Sequence, residues 1–329
     1  MMNNGFSYHG GRLAEACERY GGQAADWMDL STGINPRGWQ PPTALEVDWR
    51  ALPDPLAISQ LERAAAGYFG CDPALCTAVP GSETGFRQIA RALNLPGLHQ
   101  PLSYGTYRRA FHHAQAIPDL SALPRRATVL VIGNPNNPDG SVSSHAELLA
   151  LLDYQERHGG WLIVDEAFAD CDPGWSIANS VAVGRRLIVL RSFGKFFGLA
   201  GLRLGFTIAP PEVLCGLRAG LGDWPVHTAA LAFGTAAYDD PGWIAQTRKS
   251  LVRHAAALDA VLLRHGLPVT GDCPLFRLVT TLDAARLFGR LAQRQILTRP
   301  FVEYADLLRI GLPPDDAGLA RLDAVLADG

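Results

Sequence analysis

Lys195 interrupts an apolar, glycine-rich run, "SFGKFFGLAGLRLG" (residues 192–205), and is one of only two lysines in the chain, the other being Lys249. A lysine in such a loop is usually solvated. Beside a water-poor site, however, its amine loses its proton and becomes a nucleophile toward aldehydes. Ser192 precedes it by three residues and Arg203 follows it by eight, and both side chains suit a phosphate. A second anion site is written in "PGSETG" (80–85), where the backbone N–H groups of Gly81, Ser82 and Glu83 open a helix. Asp165 follows the apolar run "WLIV". A carboxylate there is costly unless paired, so it either closes a structural contact at a strand end or faces a cationic ligand group.

Together these residues describe a ligand with a phosphate, a ring nitrogen that wants an acid, and an aldehyde that wants an amine. Pyridoxal 5'-phosphate carries all three. Each motif alone is weak; their order along the chain is the stronger signal.

The elements that must position these groups alternate. "ATVLVIG" (127–133), "WLIVDEAF" (161–168) and "RLIVLRSFG" (186–194) read as buried strands, with an amphipathic helix over 144–158 between the first two. Strands apolar on both faces and joined by crossovers predict a mostly parallel sheet flanked by helices, an α/β large domain. In such sheets ligands gather at the carboxyl ends of strands, where Asn137, Asp165 and Lys195 all fall. Further helices are expected over 11–20, 58–69, 82–93 (with Ser82 as cap) and 107–114, and a short strand over 77–79. A long helix over 242–265 leads into strands near 276–279 and 307–310 and a last helix over 317–327, a smaller α+β domain. The expected division is 36–241 for the large domain, with 1–35 and 242–329 forming the small one.

With 329 residues, 48% hydrophobic and 19% charged, the chain reads as an ordinary globular protein. A net charge of −3 gives no electrostatic case for nucleic acid or an anionic membrane. No apolar run approaches a membrane span. The six cysteines lack metal-ligand spacing and read as reduced, buried thiols of a cytoplasmic protein. No metal site is expected. The absence of a G-x-G-x-x-G after the early strands disfavours a nicotinamide dehydrogenase.

In its ordered set of motifs the chain resembles the fold-type I pyridoxal-phosphate enzymes of the class I/II aminotransferase superfamily, over nearly its whole length. The resemblance implies that Lys195 bonds the cofactor aldehyde and that Asp165 pairs with the ring nitrogen. It implies that Asn137 bonds the ring hydroxyl and that Tyr104 stacks on the ring. Gly81, Ser82, Glu83, Ser192 and Arg203 would form the phosphate cup, and Arg309, in "LLRIGLP", would grip the substrate carboxylate. A homodimer is also implied, although Leu52, in "ALPDP", stands where many relatives carry a tyrosine that reaches the partner's cofactor phosphate. The glycines of "GLAGLRLG" need only serve packing.

Within that superfamily the segment "YHGGRLAEACERYG" followed by "DWMDLSTGINPRGW" resembles the threonine-phosphate decarboxylases of cobalamin biosynthesis, as do Phe168 in "VDEAF" and Asp139 in "NPNNPDG". The implied reaction is loss of CO₂ from L-threonine O-3-phosphate, giving (R)-1-amino-2-propanol O-2-phosphate. Arg299 and His9 are then candidates for the substrate phosphate, with Asn35 lining the entrance. An aminotransferase acting on histidinol phosphate keeps every cofactor residue and remains the alternative; a non-catalytic pyridoxal-phosphate-binding protein is a remote one.

Overall fold

The computed structural model describes residue 6 and residues 9–328; residues 1–5, 7, 8 and 329 lie outside the description. The strands, in chain order, are β1 (Met28–Asp29), β2 (Cys76–Val79), β3 (Gly97–His99), β4 (Ala114–Ala116), β5 (Val129–Gly133), β6 (Trp161–Asp165), β7 (Leu187–Ser192), β8 (Gly205–Ile208), β9 (Val269–Thr270), β10 (Phe276–Thr280), β11 (Ile296–Leu297), β12 (Arg299–Pro300) and β13 (Leu307–Gly311). The α-helices are α1 (Leu13–Tyr20), α2 (Pro55–Phe69), α3 (Ser82–Leu93), α4 (Thr106–Ala110), α5 (His145–Arg157), α6 (Phe193–Phe196), α7 (Pro211–Leu221), α8 (Thr228–Tyr238), α9 (Pro241–Arg264), α10 (Ala284–Gln293) and α11 (Asp316–Ala327). None of these helices is long and apolar enough to cross a membrane.

The chain divides into two compact units. The larger comprises Gly38–Asn137 and Val142–Gln246; the smaller comprises Met1–Arg37, Pro138–Ser141 and Thr247–Gly329. The larger unit is built on a seven-stranded sheet in the order β2-β8-β7-β6-β5-β3-β4. β4, β3, β5, β6 and β7 run parallel, and β8 is antiparallel to both β7 and β2. The β-branched and leucine residues of "VLVIG" and "WLIV" are buried throughout, as a sheet covered on both faces requires. One face packs Val129, Val131, Trp161, Ile163, Ile188 and Leu190 against Phe86, Ile89 and Tyr107. Helix starts follow local chemistry. Asp54 accepts from the amides of Leu56 and Ala57 with Pro55 in the first turn of α2, and Ser144 with Glu147 forms a reciprocal capping box on α5.

The smaller unit carries a four-stranded sheet in the order β12-β13-β10-β9, in which the paired strands run antiparallel, and a short parallel pair β1-β11.

Several local expectations shift. The helix expected over 107–114 stops at Ala110. Phe111 turns in against Phe86, and the following residues pair as β4 with β3, so ladder bonds outweigh the helical spacing of the aromatics. Ser82 is the first helical residue of α3 rather than its cap; Gly81 caps it, with φ +83°. β6 ends at Asp165, because the next carboxylate, Glu166, turns to accept from the Ile177 amide and the Ser176 hydroxyl. Only Cys76, Cys171 and Cys273 are buried; Cys17 and Cys71 are half-buried and Cys215 is exposed.

Candidate active site

The parallel strands β5, β6 and β7 deliver the carboxyl-end residues of the larger unit to one edge. Gly133 faces Asp165 across the β5–β6 ladder, and Asn137 lies in the loop that leaves β5. Ser192 ends β7 and faces Gly205 of β8. Because β8 runs the other way, its entry point lies beside the exit of β7, and Gly205 also faces Val79 at the exit of β2. The reversed strand therefore brings Arg203, two residues before it, to the turn that opens α3. A Cβ placed on Gly81 would lie 2.7 Å from Arg203 Nη2. Glycine at 81 thus leaves room for a guanidinium over the α3 N-terminus, whose amides already favour an anion. Arg203 holds φ +49°, a left-handed conformation uncommon for a non-glycine residue.

Lys195 lies in the short helix α6 that follows β7, with Nζ 5.7 Å from the centroid of the buried Phe168 ring. Asp165 keeps part of its surface open, yet the protein packed around its carboxyl desolvates it and pushes its pKa up. A hydrogen bond from Tyr107, the Ala167 amide and the nearby Lys195 charge oppose that rise, while Glu83 adds to it. Tyr104 donates to Glu83 Oε2 at 3.1 Å, and Thr106 donates to Glu83 Oε1 at 3.1 Å. Arg87 grips the same carboxylate at 2.8 Å. Burial raises the Glu83 pKa, but these hydrogen bonds outweigh it and leave the group below its ordinary value. The Tyr104 phenol, desolvated and beside Glu83, is pushed up to about 12.

In the smaller unit, Arg299 and Arg309 are direct cross-strand partners on β12 and β13, both buried. Directly opposed residues share a face, so the two guanidiniums belong to one side of the sheet. Arg309 lies 5.1 Å from the Phe276 ring centroid and donates to the Ser31 carbonyl at 2.6 Å. Arg299 lies 5.0 Å from the Phe301 centroid. The strand after β1 is stapled here: Leu30 N donates to Leu297 O at 2.7 Å, and Gly311 N to Leu30 O at 2.6 Å. Ser31 Oγ in turn accepts from the Gly11 amide at 2.8 Å. The Gly11 backbone and Arg309 are thus tied through Ser31. Asn35 is buried, and its Oδ1 accepts from the Arg37 amide at 3.0 Å.

The larger unit therefore gathers Gly81, Ser82, Glu83, Tyr104, Asn137, Asp165, Ser192, Lys195 and Arg203, and the smaller unit gathers His9, Asn35, Arg299 and Arg309. Sequence reasoning missed three contributors. Tyr107 bonds Asp165 at 2.9 Å; its only signal was its position three residues after Tyr104 in "YGTY". Thr106 helps hold Glu83. Arg191, next to Ser192, is buried between Glu166 and Asp170. Among the described residues no cluster of histidine, cysteine or carboxylate side chains could hold a metal ion.

The sequence matches the family described as aminotransferase class I and II over residues 25–322. It is 42% identical over 327 residues to a threonine-phosphate decarboxylase from Pseudomonas aeruginosa, covering 97% of this chain and 96% of the relative. It is 40% identical over 326 residues to one from a Sinorhizobium species, covering 97% of each. Histidinol-phosphate aminotransferases among the relatives are 28% to 30% identical. In fold it is similar to the crystal structure of L-threonine-O-3-phosphate decarboxylase from Porphyromonas gingivalis, with a TM-score of 0.74 and 22% identity over 91% of this chain and 98% of that one.

Proposed function

This chain belongs to the aminotransferase class I and II family, and from that premise we propose that it is a pyridoxal-phosphate-dependent carboxy-lyase of cobalamin biosynthesis that converts L-threonine O-3-phosphate to (R)-1-amino-2-propanol O-2-phosphate. The observation that carries the reading is the 40% to 42% identity, end to end, with two threonine-phosphate decarboxylases. The histidinol-phosphate aminotransferases stand further off, at 28% to 30% identity.

The donor set suits the cofactor. The Gly81 turn, the α3 amides, Ser82, Ser192 and Arg203 form a cradle for a dianionic phosphate, and Asp165 supplies a desolvated acid for a ring nitrogen. When bound, pyridoxal phosphate supplies an aldehyde that captures the substrate amine and a protonated ring that withdraws electrons from the bond being broken. The rest is the work of this chain's side chains. Lys195 would hold the aldehyde through Nζ, and the same amine would serve as the proton carrier for the substrate Cα. Asp165 would hold the ring nitrogen in its protonated form, Asn137 would bond the ring hydroxyl, and Tyr104, held at its hydroxyl by Glu83, would supply the aromatic face for the ring. Phe168 offers Lys195 an apolar wall where related enzymes present a phenol.

The substrate has two anionic ends and needs two basic anchors. Arg309 takes the carboxylate, and Arg299 with His9 takes the phosphate, Asn35 lining the same entrance. Two guanidiniums on one face of a sheet repel each other, and a substrate with two anionic groups relieves that repulsion. The choice between losing CO₂ and losing the Cα proton would then lie in how the substrate is oriented.

The chain acts as a homodimer: Trp49, Leu52 and Leu56 expose 76%, 65% and 65% of their surface within one short segment, an apolar stretch suited to a second copy. Six cysteines that lack metal-ligand spacing suit a reducing, cytoplasmic setting. The test is incubation with pyridoxal phosphate and phosphothreonine and no keto-acid acceptor. CO₂ and aminopropanol phosphate are expected. Turnover only when a keto acid is added would reassign the chain as an aminotransferase.

A further inference from the structure

We propose that Tyr107 is a positioning residue that aims the Asp165 carboxylate at the ring nitrogen of the cofactor; the inference rests on the cofactor reading above and deepens it. Tyr107 is only 2% exposed, and its hydroxyl donates to Asp165 Oδ2 at 2.9 Å. The other oxygen, Oδ1, accepts from the Ala167 amide at 3.2 Å. The carboxyl is thus gripped once at each oxygen, which fixes its plane as well as its place.

The fold makes room for this contact. Gly133 is the Cα partner of Asp165, and a Cβ on it would fall 3.3 Å from Tyr107 Oη and 3.0 Å from Asn136 Oδ1. Glycine at the end of β5 opens the space through which the phenol reaches the aspartate. The ring itself is set by edge contacts with Phe86 (5.4 Å between centroids) and Tyr104 (5.8 Å). A phenol donates to a carboxylate more strongly than to a carboxylic acid, so the bond favours the charged form that a ring cation needs. Burial pushes the Asp165 pKa the other way, and Tyr107 is the largest of the opposing contacts.

Tyr107→Phe keeps the ring and removes only the donor. The readout is the dissociation constant of cofactor-free protein for two compounds, followed by absorbance titration. One is pyridoxal phosphate; the other is 1-deazapyridoxal phosphate, in which carbon replaces the ring nitrogen. Affinity for pyridoxal phosphate is expected to fall about tenfold, the scale of one hydrogen bond to a charged group. Affinity for the deaza compound should stay within about twofold, since Asp165 has nothing there to pair with. In an Asp165→Asn background the substitution should cost no further affinity for pyridoxal phosphate. Equal loss for both compounds, or loss for neither, would overturn the role and leave Tyr107 a packing residue. Wild-type protein that bound neither compound would instead sink the cofactor reading, and this inference with it.

Discussion

Asp165 and Glu166 are neighbours in the chain, and the end of β6 turns them to opposite sides of the sheet. Asp165 shares its side with Tyr107, and partial exposure keeps it within reach of a ligand. Glu166 is fully buried and closed off. It accepts from Arg191 Nη1 at 2.8 Å, from the Ser176 hydroxyl at 2.5 Å and from the Ile177 amide at 2.7 Å, while Asp170 holds the other guanidinium nitrogen. Burial raises the pKa of both carboxyls. Their surroundings differ in completeness. The Glu166 side carries its own cation, locked between two acids and lying 4.5 Å from the Phe69 ring centroid. The Asp165 side has hydrogen-bond donors and a nearby Lys195, but among the described residues no guanidinium is locked against the carboxyl. A buried carboxylate with a resident guanidinium ties strands together; under the proposed function, the cation that Asp165 pairs with would come from the ligand.

The largest test of that division is Lys195→Ala. It should lower kcat by about 10⁴-fold or more, because the covalent anchor and proton donor of the proposed function disappear together. The denaturation midpoint should stay near wild type, since Lys195 lies in the short helix α6 and not in a strand of the sheet. Next comes the closed side. Arg191→Met leaves Glu166 and Asp170 as uncompensated buried charges and should cost about 3 to 5 kcal/mol in denaturant unfolding. Adding Glu166→Gln and Asp170→Asn should recover much of that loss. If the single substitution were tolerated, the cluster would not be the tie between β6 and β7.

Arg309 sharpens the contrast, being buried like Arg191 but set against a backbone carbonyl and an aromatic ring. Arg309→Gln should lower kcat/KM for phosphothreonine by about 30- to 1000-fold, the range for losing a buried charge partner. It should cost less stability than Arg191→Met. A stability loss equal to that of Arg191→Met, with unchanged kcat/KM, would assign Arg309 to the fold instead.

The sequence made the central sheet readable because β5, β6 and β7 are short, β-branched runs apolar on both faces and separated by helical or turn-rich segments, and length and β-branching set such runs apart from a buried helix. The motif residues were readable for a related reason: rare types such as Lys195 and Asp165 stand at strand ends inside apolar runs. What stayed hidden depends on pairing. The reversed direction of β8, which carries Arg203 back to the Gly81 turn, cannot be read from "LGFTI" alone. The Tyr107–Asp165 bond spans 58 residues, and local spacing instead suggested a longer helix there. The Arg191 cluster was invisible because an arginine between "LIVL" and a serine carries no mark of its partners.

The smallest effect is the one that separates the two carboxyls by sign. A carboxyl whose folded pKa lies above its unfolded value contributes stability at low pH and loses it as pH rises through the folded value. Asp165 in cofactor-free protein is such a group, raised chiefly by desolvation, and so is Glu166; the two differ in that removing the Glu166 charge also strips a partner from the buried Arg191. Above that pH the Asp165 charge weakens the fold. Asp165→Asn removes the charge and should therefore stabilise the cofactor-free protein at pH 7 by about 1 kcal/mol, the scale on which a desolvated carboxyl resists ionising. The advantage should shrink toward zero as pH falls below about 4, where the wild-type carboxyl is protonated in both states. Glu166→Gln, one residue along, should do the opposite at pH 7, because it strips a partner from the buried Arg191. Urea unfolding of the two variants across pH 4 to 8 reads both signs. If both destabilised at pH 7, Asp165 would be as fully compensated as Glu166, and the open side of the sheet would have no charge held in reserve for a ligand.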